Sequence, residues 1–182
     1  MDHILESRSH MTTPTVPPVY RALVDTSKEI GISLTAGLPD DWVAPLLDLF
    51  DADPDVTNIR VAREPEAVAI CTGGFFGGVK TAAIMGATGF LTTISELTTI
   101  NLKYEIPLFM FVSLRGSIQD HQAFQEIQGR FLTRQFEALG LPYLVLDELE
   151  KVRLLPDAYV HSRVQKRPFI VGLSKALLIE NA

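Results

Sequence analysis

A short β-branched segment that runs into a glutamate and a proline fixes the local structure of residues 57–78, TNIRVAREPEAVAICTGGFFGG. The segment favours a strand, and Pro65 suits the first turn of the helix that follows, where its missing N–H costs nothing. Glu64, just before it, meets the positive end of the helix dipole. Ala67, Ile70, Cys71, Gly74, Phe75 and Gly78 then recur at helical spacing, so one face carries Ala, Cys and two glycines. Each interior glycine costs roughly 1 kcal/mol relative to alanine. Repeating that cost predicts the close approach of another backbone. Tight packing of the helix on its own sheet is the simplest source of such a contact.

The rest of the chain alternates strand and helix around this unit. A helix over 19–30 carries Leu23, Val24, Ser27 and Ile30 on one side and stops at Gly31. A strand over 32–36 ends in the turn Gly37-Leu38-Pro39. Asp40 or Asp41 can cap the next helix, which continues through Val43, Leu46, Leu47 and Phe50. Strands follow over 58–62 and 81–85. Gly86-Ala87-Thr88-Gly89 turns the latter into a helix with Leu91, Ile94, Leu97 and Thr98 inward. The apolar run 107–114, PLFMFVSL, reads as a strand covered on both faces. Residues 117–128 form the longest irregular stretch. A helix over 129–139 stops at Gly140, and a strand over 142–146, short helices over 147–155 and 157–165 and a strand over 169–173 complete the pattern. Such alternation predicts a doubly wound, mostly parallel α/β sheet with helices on both faces. Residues 11–182 are expected to form one domain. MDHILESRSH, residues 1–10, reads as a vector-derived leader, so His3 and His10 carry no functional weight, and residues 12–18 with three prolines form an extended lead-in.

Composition narrows the function. A net charge of −6 and a pI near 5.2 leave no basic face for nucleic acid. No apolar run reaches the roughly 18 residues of a membrane span. The single cysteine, Cys71, excludes an internal disulfide, fits a cytoplasmic location and reads as a small core residue. Phosphate-loop, dinucleotide, zinc and serine-hydrolase motifs are absent. In an open parallel sheet ligands gather at the carboxyl ends of the strands. That edge collects the turns at 37–41, 63–66 and 86–89 and the loop at 115–128.

Four pieces, GLPDD at 37–41, AREPEAVAI at 62–70, MGATGF at 85–90 and LRG with a later QGR between 114 and 130, occur in an order that resembles the pyrimidine-binding domain of thiamine diphosphate enzymes. The resemblance is to the small subunits of two-subunit sulfopyruvate decarboxylases and to the matching half of phosphonopyruvate decarboxylase. It covers about 20–178. It implies that Glu64 hydrogen-bonds a ring nitrogen of the cofactor's aminopyrimidine, where proton exchange activates the thiazolium for attack on a 2-oxo acid. A helix-capping glutamate is the competing reading. Gly37, Pro39, Thr88 and Gly89 would line the cofactor with Glu64.

Two further residues have open roles. His121 is either a proton donor after decarboxylation or, more commonly for such a position, an exposed loop histidine. Arg115 holds a substrate carboxylate or makes a salt bridge at a helix start. Trp42 and His161 read as ordinary packing or surface residues.

The resemblance also implies what the chain lacks. It has no GDG…N segment to hold magnesium and the diphosphate, so a separately encoded subunit carrying Mg2+ is expected, in a hetero-oligomer with the cofactor at the interface. Where the relatives tend to have GxPxS and QNSG, this chain has Gly37-Leu38-Pro39-Asp40-Asp41 and Gly86-Ala87-Thr88-Gly89. An added carboxylate and lost amides weaken a site for a sulfonate or phosphonate. The reaction expected is non-oxidative decarboxylation of a 2-oxo acid to an aldehyde. Carboligation on the same cofactor and a non-catalytic scaffolding subunit are the rivals.

Overall fold

The computed structural model describes residues 16–117 and 120–179; the expected leader and most of the proline-rich lead-in lie outside the described residues. The first helix, α1 (Pro18–Ile30), starts on a proline and ends at Gly31, whose φ of 88° lies in the left-handed region that glycine tolerates. Leu34–Gly37 forms β1, Ala44–Asp51 α2 and Thr57–Arg60 β2. Glu64–Phe76 is α3, and Thr81–Met85 is β3. Two short helices, α4 (Ala87–Thr92) and α5 (Ile94–Glu96), run into a π-helical turn, Leu97–Leu102. The second half contains β4 (Phe109–Ser113), α6 (Ala123–Ala138) and β5 (Tyr143–Leu146). A 3-10 turn, Leu149–Leu154, leads into α7 (Leu155–Gln165), and β6 (Phe169–Leu173) and α8 (Lys175–Ile179) follow.

The six strands form one parallel sheet in the order β2-β1-β3-β4-β6-β5. Side chains alternate between its faces with a period of two. Ala82, Ile84, Phe109 and Phe111 join a core with α1, α2 and α7, whereas Ala83, Met85, Met110 and Val112 join a second core with α3, α4 and α6. Both layers are apolar, which is why β3, β4 and β6 are buried along their whole length. The doubly wound α/β architecture is therefore as the alternation implies, with every pairing parallel. Among the described residues no helix is long and apolar enough to cross a membrane.

Three local expectations need correction. Helix α6 begins at Ala123, not at 129, because Gly129 sits inside it, pressed against Gly116. A Cβ on Gly129 would meet the Gly116 Cα at 2.8 Å and the Arg115 carbonyl oxygen at 2.7 Å. The inward face after β3 is Phe90, Thr93 and Leu97 rather than the Leu91, Ile94, Leu97 series, since the helix restarts at Thr93 and the register shifts. Gly78 lies beyond the end of α3 with φ of 74°, so it is a turn residue and not part of a helix face.

Gly74 alone keeps the packing role expected of the α3 glycines. Its Cβ would stand 2.5 Å from Thr81 Cγ2 on β3, whereas nothing lies within 4 Å of a Cβ on Gly73. The two alanine substitutions therefore have opposite signs. Gly74→Ala is expected to lose roughly 1–3 kcal/mol through overpacking, and Gly73→Ala to gain up to about 1 kcal/mol of helix propensity. Urea unfolding of the two variants measures both.

Candidate active site

Strand order reverses between β1 and β3, because the chain moves outward from β1 to β2 and then returns to β3 on the other side. A crevice opens at the carboxyl ends of strands at such a point. Here the turns after β1, β2 and β3 lie at that edge, and glycines in two of them admit close neighbours. Gly37 closes β1 against β3, where a Cβ would lie 2.4 Å from the Ile84 carbonyl oxygen. Gly86 and Gly89 follow β3, and both make room for carboxylates from neighbouring loops. The Asp40 Oδ2 atom lies 2.2 Å from where a Gly86 Cβ would be. Glu64 lies against Gly89 in the same way, with its carboxyl carbon 2.5 Å from the position of a Cβ. Gly37 and Gly89 are buried, Pro39 and Thr88 are exposed, and Glu64 is partly exposed. Five sequence-predicted residues thus come from the ends of three adjacent strands.

Glu64 is the first residue of α3, yet it does not cap that helix. Glu66 does so: its Oε2 accepts from the backbone N–H of Ala62 at 2.9 Å and of Arg63 at 3.2 Å. The spacing of Glu66 three residues after Arg63 is that of a capping box, and could have been read from the sequence. Among the described residues no hydrogen bond or ion pair takes up the Glu64 carboxylate. A partly buried carboxylate at a helix N-terminus with no protein partner is free to receive a donor from outside the chain.

Asp40 is tied on all sides. Its Oδ1 accepts from the N–H of Trp42 (3.0 Å) and Val43 (2.9 Å), capping the approach to α2, and its Oδ2 accepts from Ser113 Oγ at 2.9 Å. One side chain so links the ends of β1 and β4 across β3. The carboxylate packed against Gly86 is Asp40, whereas Asp41, the position where the resemblance implies a serine, is exposed. Of Asp40 and Asp41, either of which could cap α2, Asp40 does so; its second bond has no local signal in the sequence, because Ser113 lies 73 residues away.

The loop after β4 is held by a buried ion pair. Arg115 donates to Asp120 from Nε (2.8 Å) and Nη2 (3.2 Å), and the two side chains are only 4% and 3% exposed. Asp120 also accepts from the N–H of Gly116 and Gln122. The Arg115 guanidinium lies over the Trp42 ring, 4.1 Å from its centroid. Of the two roles open to Arg115, the salt bridge beside a helix start is the one seen. Trp42 packs beneath it, and His121, next to Asp120, is exposed. Among the described residues no group of three or more His, Cys, Asp or Glu could hold a metal ion.

Arg115, by its hydrogen bonds, holds the Asp120 carboxyl down to about 2, with the backbone N–H groups adding to the shift against the opposing effect of burial. A folded-state value below the unfolded one, near 3.9, stabilises the fold above about pH 4, and that stability is lost as pH falls toward 2. Asp120→Asn leaves the guanidinium buried without its counter-charge and is expected to cost roughly 3 kcal/mol at pH 7. The deficit relative to the parent shrinks between pH 4 and pH 2, as urea unfolding across that range would show.

No family model matches the chain. Over 125 residues it is 29% identical to sulfopyruvate decarboxylase subunit alpha of Methanococcus maripaludis, covering 69% of this chain and 72% of that protein. Sulfopyruvate decarboxylase of Methanosarcina acetivorans is 31% identical over 152 residues, 84% of this chain but 39% of that protein. Phosphonopyruvate decarboxylase of Streptomyces viridochromogenes is 29% identical over 87 residues, 48% of this chain and 22% of that protein. The chain therefore spans less than half of the two latter proteins and most of the alpha subunit. The resemblance carried by the four sequence pieces is borne out: over most of its length the chain is similar to sulfopyruvate decarboxylase alpha subunits, and over about half of it to phosphonopyruvate decarboxylases.

Proposed function

We propose that the chain is the pyrimidine-binding subunit of a thiamine diphosphate-dependent enzyme that decarboxylates a 2-oxo acid to an aldehyde. The observation that carries this reading is the Glu64 carboxylate, held against Gly89 at the strand switch point with no hydrogen-bond or ion-pair partner among the described residues while Glu66 caps the helix. The residues present fit the cofactor. Glu64 can accept a hydrogen bond from a ring nitrogen or give back the proton, Gly89 keeps the backbone low beneath it, and the exposed Thr88 and Pro39 border the same opening. When bound, thiamine diphosphate takes up the electron pair released as the bond between the carbonyl carbon and the carboxylate breaks. The balance is one 2-oxo acid anion and one proton giving one aldehyde and one carbon dioxide.

The chain's own share of this chemistry is positioning and proton control. Glu64 holds or returns a proton at its carboxyl group. Asp40 and the Arg115–Asp120 pair fix the loops on either side, and the rigid edge excludes water once a second subunit covers it. That second subunit, separately encoded, supplies the residues for Mg2+ and the diphosphate. Three of the relatives' names support a partner, since they are alpha subunits. His121 is a candidate proton donor from the exposed loop, with Arg115 acting through the loop's geometry.

In the co-expressed complex, Glu64→Gln is expected to lower decarboxylation by about 10²–10⁴-fold, with assembly retained because no hydrogen bond or ion pair among the described residues depends on that side chain. Turnover by the purified complex with a panel of 2-oxo acids measures it. Full activity in the variant would remove the catalytic role from Glu64.

A further inference from the structure

We propose that the amino edge of the sheet holds a binding site for a small monocarboxylate with an aliphatic body, and that Arg163 is the group that receives its carboxylate. The site does not depend on which reaction the chain supports. Glu64 starts α3 at the carboxyl edge, and Phe75, at this site, lies eleven residues further along the same helix, about 16 Å away along its axis.

Two cavities meet at Arg163. The first, of about 380 Å³, is lined by Ile30 at the end of α1, Lys80 just before β3, and Pro156, Tyr159, Val160 and Val164 of α7. The second, of about 370 Å³, has Phe75, Glu105 and Lys166 in its walls. Both volumes fall in the range of small-molecule sites, roughly 300–1,000 Å³.

The Arg163 guanidinium lies over the Tyr159 ring, 4.5 Å from its centroid, and over the Phe75 ring at 5.3 Å. Contact with two aromatic faces holds the cation in place without neutralising it. Its Nη2 donates to Tyr159 Oη at 2.5 Å. Among the described residues no carboxylate forms an ion pair with Arg163, and its buried Nε has no acceptor. Lys80 Nζ donates to the Ile30 carbonyl oxygen at 2.7 Å and keeps its charge. Lys166 pairs with Glu105 at 3.6 Å, with both side chains largely exposed, so that pair is weak. Three cations and one carboxylate thus line the two cavities of a chain whose net charge is −6, and the local excess favours an anion.

The walls of the first cavity select the rest of the ligand. Val160 and Val164, one helical turn apart beside Arg163, are 57% and 70% exposed, and Ile30 and Pro156 line the same cavity. An inorganic anion leaves this apolar surface in water, whereas an alkyl chain attached to the anion covers it. A carboxylate matches the planar fork of the guanidinium.

The test is an NMR titration of the ¹⁵N-labelled full chain, alone and in the complex with its partner subunit, with hexanoate, hexan-1-ol, acetate and inorganic phosphate as probes. Hexanoate is expected to give saturable shifts confined to α7, Lys80 and the end of α3, with an affinity at least about 10-fold above that of the other three. Arg163→Gln is expected to weaken hexanoate by at least about 10-fold. Val164→Asp leaves the packing of Arg163 on its two rings intact and sets a carboxylate at the cavity wall; it is expected to weaken hexanoate and not hexan-1-ol. Equal affinity for hexanoate and hexan-1-ol overturns the anion site, and equal affinity for hexanoate and acetate or phosphate overturns the aliphatic body. Hexanoate binding that neither variant changes overturns the role of Arg163. Binding to the isolated chain that is lost in the complex assigns this edge to the subunit interface and overturns the ligand site, as does the absence of saturable shifts with every probe.

Discussion

The carboxylate of Asp40 is the tie on which the carboxyl edge depends. A parallel sheet leaves its strand ends to be joined only by loops, and at a switch point two of those loops diverge. Asp40 bridges the gap by accepting from the start of α2 with one oxygen and from Ser113 on β4 with the other. Gly86 permits this because a side chain there would occupy the same space. The glycine and the carboxylate are therefore one device that ties the end of β1 to the end of β4.

Glu64 stands beside that device for a different reason. The chain enters α3 directly from the end of β2, and the N–H groups of Ala62 and Arg63 at that entry need an acceptor. Glu66 supplies it. That division of labour leaves the first carboxylate without a hydrogen-bond partner among the described residues, resting on Gly89. The helix dipole favours an acid at this position, but among the described residues no donor is supplied to it. In the proposed reading the cofactor supplies one.

The fold was legible because both faces of the sheet are covered. Continuous apolar runs with a period-two split mark β3 and β6, whose bounds at 81–85 and 169–173 match the sequence reading. Helix α6 was half hidden for the converse reason. Its buried positions include Gln125, while Phe124, Ile127 and Phe131 are exposed, so hydrophobic periodicity points the wrong way until Leu132 and Phe136. Gly129 then looks like a helix start, when its lack of a side chain serves contact with Gly116. In the site, Glu64, Gly89 and Gly37 could be placed at one edge from motif order. The Ser113 bond to Asp40 and the commitment of Arg115 to Asp120 could not, since both depend on which neighbour a rigid loop presents.

The central claim is that this chain contributes one side of a thiamine diphosphate site, and calorimetric titration with thiamine diphosphate and Mg2+ tests it most directly. The chain would be titrated alone and again after co-expression with the product of the adjoining reading frame. Binding that is absent from the isolated chain and saturable in the complex is the result expected of a site shared between two subunits. A complex that forms and does not bind the cofactor would contradict the account.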